Sequence, residues 1–276
     1  MGRRVTDEIL SRGKVVLVLG AVDTGKTYLT RELANYLVSK GKKVAIVDSD
    51  VGQAYIGPPT TIGLGILDKE IPFHEDIPPS ALYFVGSISP VRFLLPTVVG
   101  TKLMVEKGKE LGADIIIVDT GGLIQNGLGR ILKCSKIELV SPDRIIVLQR
   151  KDELEHILGL YQNLKITIHR LRVSPLVKAR TPKMRADYRA LRFKQFFQKA
   201  KVHELSSRKI TLSYKLGKPE DYHHILISLD DEKGEVLSLG VVKEISLAKK
   251  YILFSTPLED ISKVKRIQFS DYRIAL

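Results

Sequence analysis

At 276 residues, 44% of them apolar and 27% charged, the chain suits one large globular domain with a smaller appendage and is neither disordered nor fibrous in composition. No apolar run reaches the roughly 18 residues of a membrane helix, the opening MGRRVTDEILSRGK has no signal-like apolar stretch, and a lone Cys134 excludes an internal disulfide, so a cytoplasmic protein without a membrane partner is expected. Net charge is +13, and nearly all of it sits in residues 165–209, where 14 basic residues face two acids, Asp187 and Glu204. That is a local patch suited to a polyanion rather than a generally basic chain.

The chain begins its pattern with KVVLVL, Lys14 to Leu19, an apolar run with no polar alternation, as expected of a strand buried on both faces. The next eight residues, Gly20 to Thr27, read GAVDTGKT and match G-x-x-x-x-G-K-[ST] in full. A helix follows from Thr27 to Ser39, with Leu29, Leu33, Ala34 and Leu37 at helical spacing and Gly41 beyond its end. A strand, a glycine-bounded loop and a helix in that order form a phosphate cradle, in which backbone amides turn inward at the positive end of the helix. Gly20, Ala21, Val22, Asp23, Thr24, Gly25, Lys26, Thr27 and Tyr28 are therefore the expected ATP contacts, with Lys26 on the outer phosphates and the Thr27 hydroxyl on Mg²⁺.

Further strands are expected at Lys43 to Val47, Leu82 to Val85, Asp114 to Val118 and Arg144 to Leu148, with helices near residues 91–111, 127–138 and 152–162. The alternation predicts at least five parallel strands with crossover helices. Asp48 and Asp50, in VDSDVGQ, and Asp119, in IIIVDT, fall at strand C-termini, over the crevice where such a sheet binds its ligand. They are candidates for holding Mg²⁺ and for accepting a proton from an attacking hydroxyl, and spacing alone does not divide the roles. The six histidines are scattered without ligand spacing and read as structural or surface residues.

In RTPKMRADYRALRF, Arg185, Arg189 and Arg192 fall on one face of an expected helix over residues 183–199, and Pro182 suits its first turn. Arginines so placed form a lid, about residues 174–200, able to close over a triphosphate. From about residue 203 the runs Ile210 to Leu216, His224 to Leu229, Val236 to Leu239, Tyr251 to Ser255 and Arg266 to Phe269 are strand-like without helices between them, and Asp230, Asp231 and Gly234 mark a hairpin. The expected fold class is α/β, a P-loop domain over residues 1–202 with a mostly parallel sheet flanked by helices, followed by a small β-rich domain over 203–276.

Among P-loop classes, LQRKDE lacks the Asn of the guanine-reading Asn-Lys-x-Asp segment, and Ala21 stands where the partitioning ATPases place a second lysine. The segments GAVDTGKT, DSDVGQAYIGPPTTIGLG, LYFVGSISP, VDTGGLIQNGLG and KIELVSPDRIIVLQR, with Arg180, Arg185 and Arg189, together resemble the polynucleotide 5′-hydroxyl kinases. That family includes the RNA kinase subunit of mRNA cleavage and polyadenylation and kinases of pre-ribosomal RNA processing. The likeness spans about residues 14–192 and suggests an archaeal-type member. It implies transfer of the ATP γ-phosphate, with Mg²⁺, to single-stranded 5′-hydroxyl ends of RNA, sometimes of DNA. On matching positions it implies Lys26 and Thr27 as phosphate and metal contacts and Asp50 as base. The expected metal set is Thr27 with candidates Asp48, Asp50 and Asp119. The resemblance further implies Thr120 and Gly121 as part of a clasp on the substrate strand, with Gln53 and Gly122 as expected substrate contacts beside them, and Arg185 and Arg189 as the lid. Two alternatives compete with this expectation: an ATP-binding scaffold of an RNA-processing complex that transfers nothing, and another P-loop ATPase or small-molecule kinase.

Overall fold

Valine and leucine fill the first strand so completely that neither of its faces can meet water, and the fold is built around that constraint. In the computed structural model, which describes residues 14–213, 219–246 and 248–274, β1 (Val15–Gly20) is buried at every position. Val15, Leu17 and Leu19 enter one apolar cluster, Val16 and Val18 the other, as the two-residue period of a strand requires. Helix α1 (Lys26–Ser39) covers the second face through Leu33, Ala34, Leu37 and Val38. Helices α2 (Leu94–Glu110) and α3 (Asn126–Val140) cover the first through Met104, Val105, Ile137 and Val140.

The remaining strands of this sheet are β2 (Val44–Ser49), β3 (Thr61–Leu67), β4 (Ala81–Phe84), β5 (Ile115–Thr120), β6 (Arg144–Gln149) and β7 (Thr167–Arg172), in the order β4-β3-β2-β5-β1-β6-β7. Five neighbours, β2, β5, β1, β6 and β7, pair in parallel. The expected count is met with a different membership. The strand expected at Leu82 to Val85 lies at the edge and pairs only with β3, which runs antiparallel to both β2 and β4. The helix expected over 152–162 shrinks to one turn, α4 (Glu155–Leu158). Beyond it the bonds tighten to three-residue spacing, Leu160 N to Ile157 O at 3.2 Å and Tyr161 N to Leu158 O at 2.9 Å, which ends an α-helix.

Helix α5 (Pro182–Phe196) starts with Pro182 in its first turn and Thr181 as cap, whose side chain accepts from Met184 N. Beyond it β8 (Lys201–Ser206), β9 (Thr211–Ser213), β10 (Ile225–Asp230), β11 (Val236–Ser246), β12 (Tyr251–Thr256) and β13 (Arg266–Arg273) form a second sheet, ordered β8-β12-β11-β10-β13-β9. The hairpin expected at Asp230 to Gly234 joins β10 to β11 in antiparallel pairing. Residues 214–216 of the run expected from Ile210 lie outside the described residues. The second sheet meets the first body through an apolar cluster of Phe84, Phe193, Phe197, Leu226, Leu239, Val241 and Ile274. Phe193 and Phe197 belong to the C-terminal end of α5 and the residue after it, so the root of the arginine helix is fixed to the β-rich sheet. Among the described residues no helix is long and apolar enough to cross a membrane.

Candidate functional site

The loop between β1 and α1 turns at Gly25, whose φ of +84° is a backbone conformation that a side chain disfavours. The turn aims the start of α1 into a cavity of about 220 Å³. Every residue from Val22 to Tyr28 lines that cavity. Gly20 and Ala21 are the two expected contacts that do not; Ala21 instead lines a neighbouring groove and offers its carbonyl to Lys26. The Lys26 ammonium is folded back on the loop, donating to Ala21 O at 2.6 Å and Thr24 Oγ1 at 3.5 Å. Burial pulls its pKa below the ordinary lysine value, while Asp119, Asp50 and Asp23 push it back up.

At the end of β5, Asp119 Oδ2 accepts from the Thr27 hydroxyl at 2.7 Å and from the Tyr55 hydroxyl at 3.1 Å. An anionic oxygen and a hydroxyl so close beside a phosphate cradle are a donor set for a hard divalent cation, and Mg²⁺ fits it. Burial, ahead of all other causes, raises the Asp119 pKa, and Lys26 opposes the rise.

Asp48 departs from expectation. Its side chain is fully buried, with Oδ2 accepting from Tyr55 N at 2.6 Å and Ile56 N at 3.1 Å and Oδ1 accepting from Asp50 N at 3.2 Å. Burial and then Asp119 hold its carboxyl well above the usual range, against two amide bonds that favour the anion. The Asp48 carboxyl shapes the loop after β2 through these three amides, which sets it apart from Asp50 and Asp119 among the expected metal residues. Asp48→Ala is expected to lower stability by about 1–3 kcal/mol for each stranded amide, short of full additivity. A thermal melt unchanged from the parent would contradict this structural assignment.

Asp50 lies where two cavities meet. Its Oδ1 accepts from Gly52 N and Gln53 N, both at 3.1 Å. Asp50, Gln53, Val22, Gly122 and Arg185 line both the nucleotide cavity and a second one of about 230 Å³. Gly121 and Arg189 line the second cavity only. Thr120 reaches the wall of the first, but its hydroxyl turns into the fold, donating to Val18 O at 2.8 Å and accepting from Lys133 Nζ at 3.0 Å. Of the residues expected to hold the substrate strand, Thr120 thus lines the first cavity, and Gly121 and Gly122 line the second.

The arginine face forms as the spacing predicts. Arg185 Nη2 donates to Asp23 Oδ2 at 2.6 Å, Arg180 N donates to the same oxygen at 3.0 Å, and Arg192 Nη2 donates to Tyr55 O at 2.8 Å and Gly57 O at 3.0 Å. Gln53 Nε2 donates to Arg185 O at 3.2 Å, closing the helix against the loop after β2.

Several site residues escape the sequence reading. His74, expected as a structural or surface residue, lines the nucleotide cavity with its ring edge-on to Tyr55 at 5.2 Å, and Tyr188, with Arg180 over its ring, lines it too. Lys133 and Lys136, both fully buried, extend from α3 beneath the cavities. The signal was present, since Leu132, Ile137 and Val140 mark the apolar stripe that carries both lysines. Burial drives the Lys133 pKa well below its ordinary value and takes that of Lys136 down to about 8.

Against known proteins, residues 20–199 match the family model described as the P-loop of the mRNA cleavage and polyadenylation factor CLP1. A polyribonucleotide 5′-hydroxyl-kinase of Methanocaldococcus jannaschii is 32% identical over 94% of this chain and 86% of its own length. One of Pyrococcus furiosus is also 32% identical, over 96% of this chain and 89% of its own. A solved Clp1p, in complex with Pcf11p, is similar in fold at a TM-score of 0.77 and 14% identity, covering 98% of this chain and 77% of that one. With its phosphate loop, strand-end acids and arginine helix in this arrangement, the chain belongs to the CLP1 P-loop family.

Proposed function

We propose that the chain is an ATP-dependent polynucleotide 5′-hydroxyl kinase acting on single-stranded RNA ends in RNA processing, with DNA as a second acceptor, in the cytoplasm. One observation carries the reading: Asp50 and Arg185 stand in the shared wall of two cavities, one of which opens on the phosphate loop. A scaffold that only binds nucleotide has no use for a second cavity meeting the first at a carboxylate. The relatives named polyribonucleotide 5′-hydroxyl-kinases support the acceptor class.

In this mechanism the triphosphate lies along Val22 to Tyr28, with Lys26 leaving the Ala21 carbonyl for the outer phosphate oxygens. Thr27 and Asp119 would hold Mg²⁺, which would supply positive charge to offset that of the phosphates. The acceptor end enters the second cavity between Gln53, Gly121 and Gly122. Asp50 takes the proton of the terminal 5′-hydroxyl as its oxygen bonds to the γ-phosphorus, and the bond from that phosphorus to the β-bridging oxygen breaks, leaving ADP. Arg185 and Arg189 stabilise the charge on the phosphoryl group in transit. The basic stretch 165–209 offers a path for the backbone of the strand, read through phosphates rather than bases.

The test is transfer of label from γ-labelled ATP to a 5′-hydroxyl oligoribonucleotide. Asp50→Asn is expected to lower turnover about 10²- to 10⁴-fold, the usual worth of a general base, while nucleotide affinity stays within about twofold of the parent. An unlabelled oligonucleotide with the unmodified protein would overturn the kinase reading, and full turnover by Asp50→Asn would remove that residue from the base role.

A further inference from the structure

Two lysines with no place in the mechanism above sit beneath its acceptor side. Lys133 and Lys136 project from one face of α3, three residues apart, and are 0% and 1% exposed. Lys133 Nζ donates to Thr120 Oγ1 at 3.0 Å and to Gly121 O at 2.5 Å, at the end of β5. Lys136 Nζ donates to Ser49 Oγ and, at 3.4 Å, to Ser49 O, at the end of β2. Ser49 Oγ is within 2.6 Å of Thr101 Oγ1, which anchors the same point to α2.

These two strand ends flank Asp50 on both sides. Ser49 is its peptide neighbour, and Gly121 lies so close that a Cβ there would be 3.3 Å from the Asp50 Cγ. Lys136 also lines the second cavity, alongside Asp50, Gly52, Gln53 and Arg189. Burying two ammonium groups one helical turn apart is costly, and an apolar side chain of the same length would fill the space at less cost. Asp48, Asp50 and Asp119 face the pair electrostatically, and Lys26 faces Lys133 as a further cation. Buried amines hydrogen-bonded to strand ends beside a site are a means of fixing backbone geometry to a fraction of an ångström.

We propose that Lys133 and Lys136 are positioning residues for phosphoryl transfer, tying α3 to the ends of β5 and β2 so that the Asp50 carboxylate is held toward the acceptor in the second cavity. The inference rests on the kinase reading and on Asp50 as its base. Lys136 carries the sharper test because it alone of the pair lines the cavity.

The experiment uses the full chain, γ-labelled ATP and a 5′-hydroxyl oligoribonucleotide, with Lys136→Met, Lys136→Arg, Ser49→Ala, Asp50→Asn and the double variant Asp50→Asn/Lys136→Met. Misplacement of a reacting group by an ångström costs about 10²-fold, so Lys136→Met is expected to lower kcat by about that factor. KM for the oligonucleotide and the dissociation constant for ATP are expected to stay within about twofold of the parent, and Lys136→Arg to recover part of the kcat. Because the lysine acts through Asp50, the double variant is expected to be no slower than Asp50→Asn alone. Should Lys136→Met fail to fold, Ser49→Ala removes one partner of the ammonium and is expected to lower kcat in the same direction, by about tenfold. An unchanged kcat in the folded variant overturns the proposal, as do losses that multiply in the double variant. Weakening of ATP binding in step with a lower melting temperature overturns it too, in favour of a purely structural role. Full activity of Asp50→Asn by itself removes the base assignment, and the proposal falls with it by a route that needs no lysine variant.

Discussion

Lys26→Ala is expected to abolish phosphate transfer, with a loss of about 10³-fold or more in turnover, because its buried ammonium is held on the phosphate loop itself, where it can follow the outer phosphate into the transition state. The side chain is 8% exposed and its ammonium sits on the Ala21 carbonyl at 2.6 Å. That carbonyl belongs to the same loop that cradles phosphate, so the lysine waits within the cavity it serves. Burial opposes its charge, and the carboxylates of Asp119, Asp50 and Asp23 sustain it. An alanine removes the charge and leaves these acids facing the phosphates with less to offset them. Lys26→Arg is expected to recover little, since a planar fork does not fit where a compact ammonium must turn. The measurement is label transfer under saturating ATP and oligonucleotide, and a Lys26→Ala protein keeping a tenth of parental turnover would overturn the assignment.

Much of this was legible before any fold was known, and the reason differs from segment to segment. The run VVLVLG and the motif after it were readable because a strand buried on both faces has no polar positions and a phosphate loop tolerates few substitutes. The strand TIGLGIL was not, because Gly63 and Gly65 read as turn punctuation although burial, not glycine content, decides that segment. The edge strand TIHRLR was hidden by its charge: Arg170 and Arg172 point to solvent, and a half-exposed edge lacks the apolar run of its neighbours. At the site, residue type revealed the carboxylates but not their duties. Asp48 and Asp50 are two residues apart in a strand end, yet one turns inward onto three amides and the other stands between two cavities. Charge at a strand terminus signals a site, whereas which oxygen meets backbone and which meets ligand depends on the path of the following loop, here set by Gly52 to Ile56.

The arginine helix separates in the same way into a root and a tip, and the two are expected to respond differently to mutation. Arg192 is engaged with the carbonyls of Tyr55 and Gly57, one residue before Phe193, which packs with Phe197 against the second sheet. Toward the N-terminus Arg185 reaches Asp23 in the phosphate loop and lines both cavities, with Arg189 one turn on in the second. Arg185→Ala is expected to cost about 10³-fold or more in turnover, the scale of an arginine that meets the transferring phosphoryl group, with a melting temperature close to the parent because its ion pair is partly exposed. Arg192→Ala removes bonds to two loop carbonyls instead, and is expected to lower the melting temperature and weaken both substrates while sparing more of kcat. Steady-state kinetics with thermal melts on the two variants compare root with tip directly. If Arg185→Ala kept its turnover and lost only stability, the pair with Asp23 would be a latch and the charge on the phosphoryl group would be met by Lys26 and Arg189 without it.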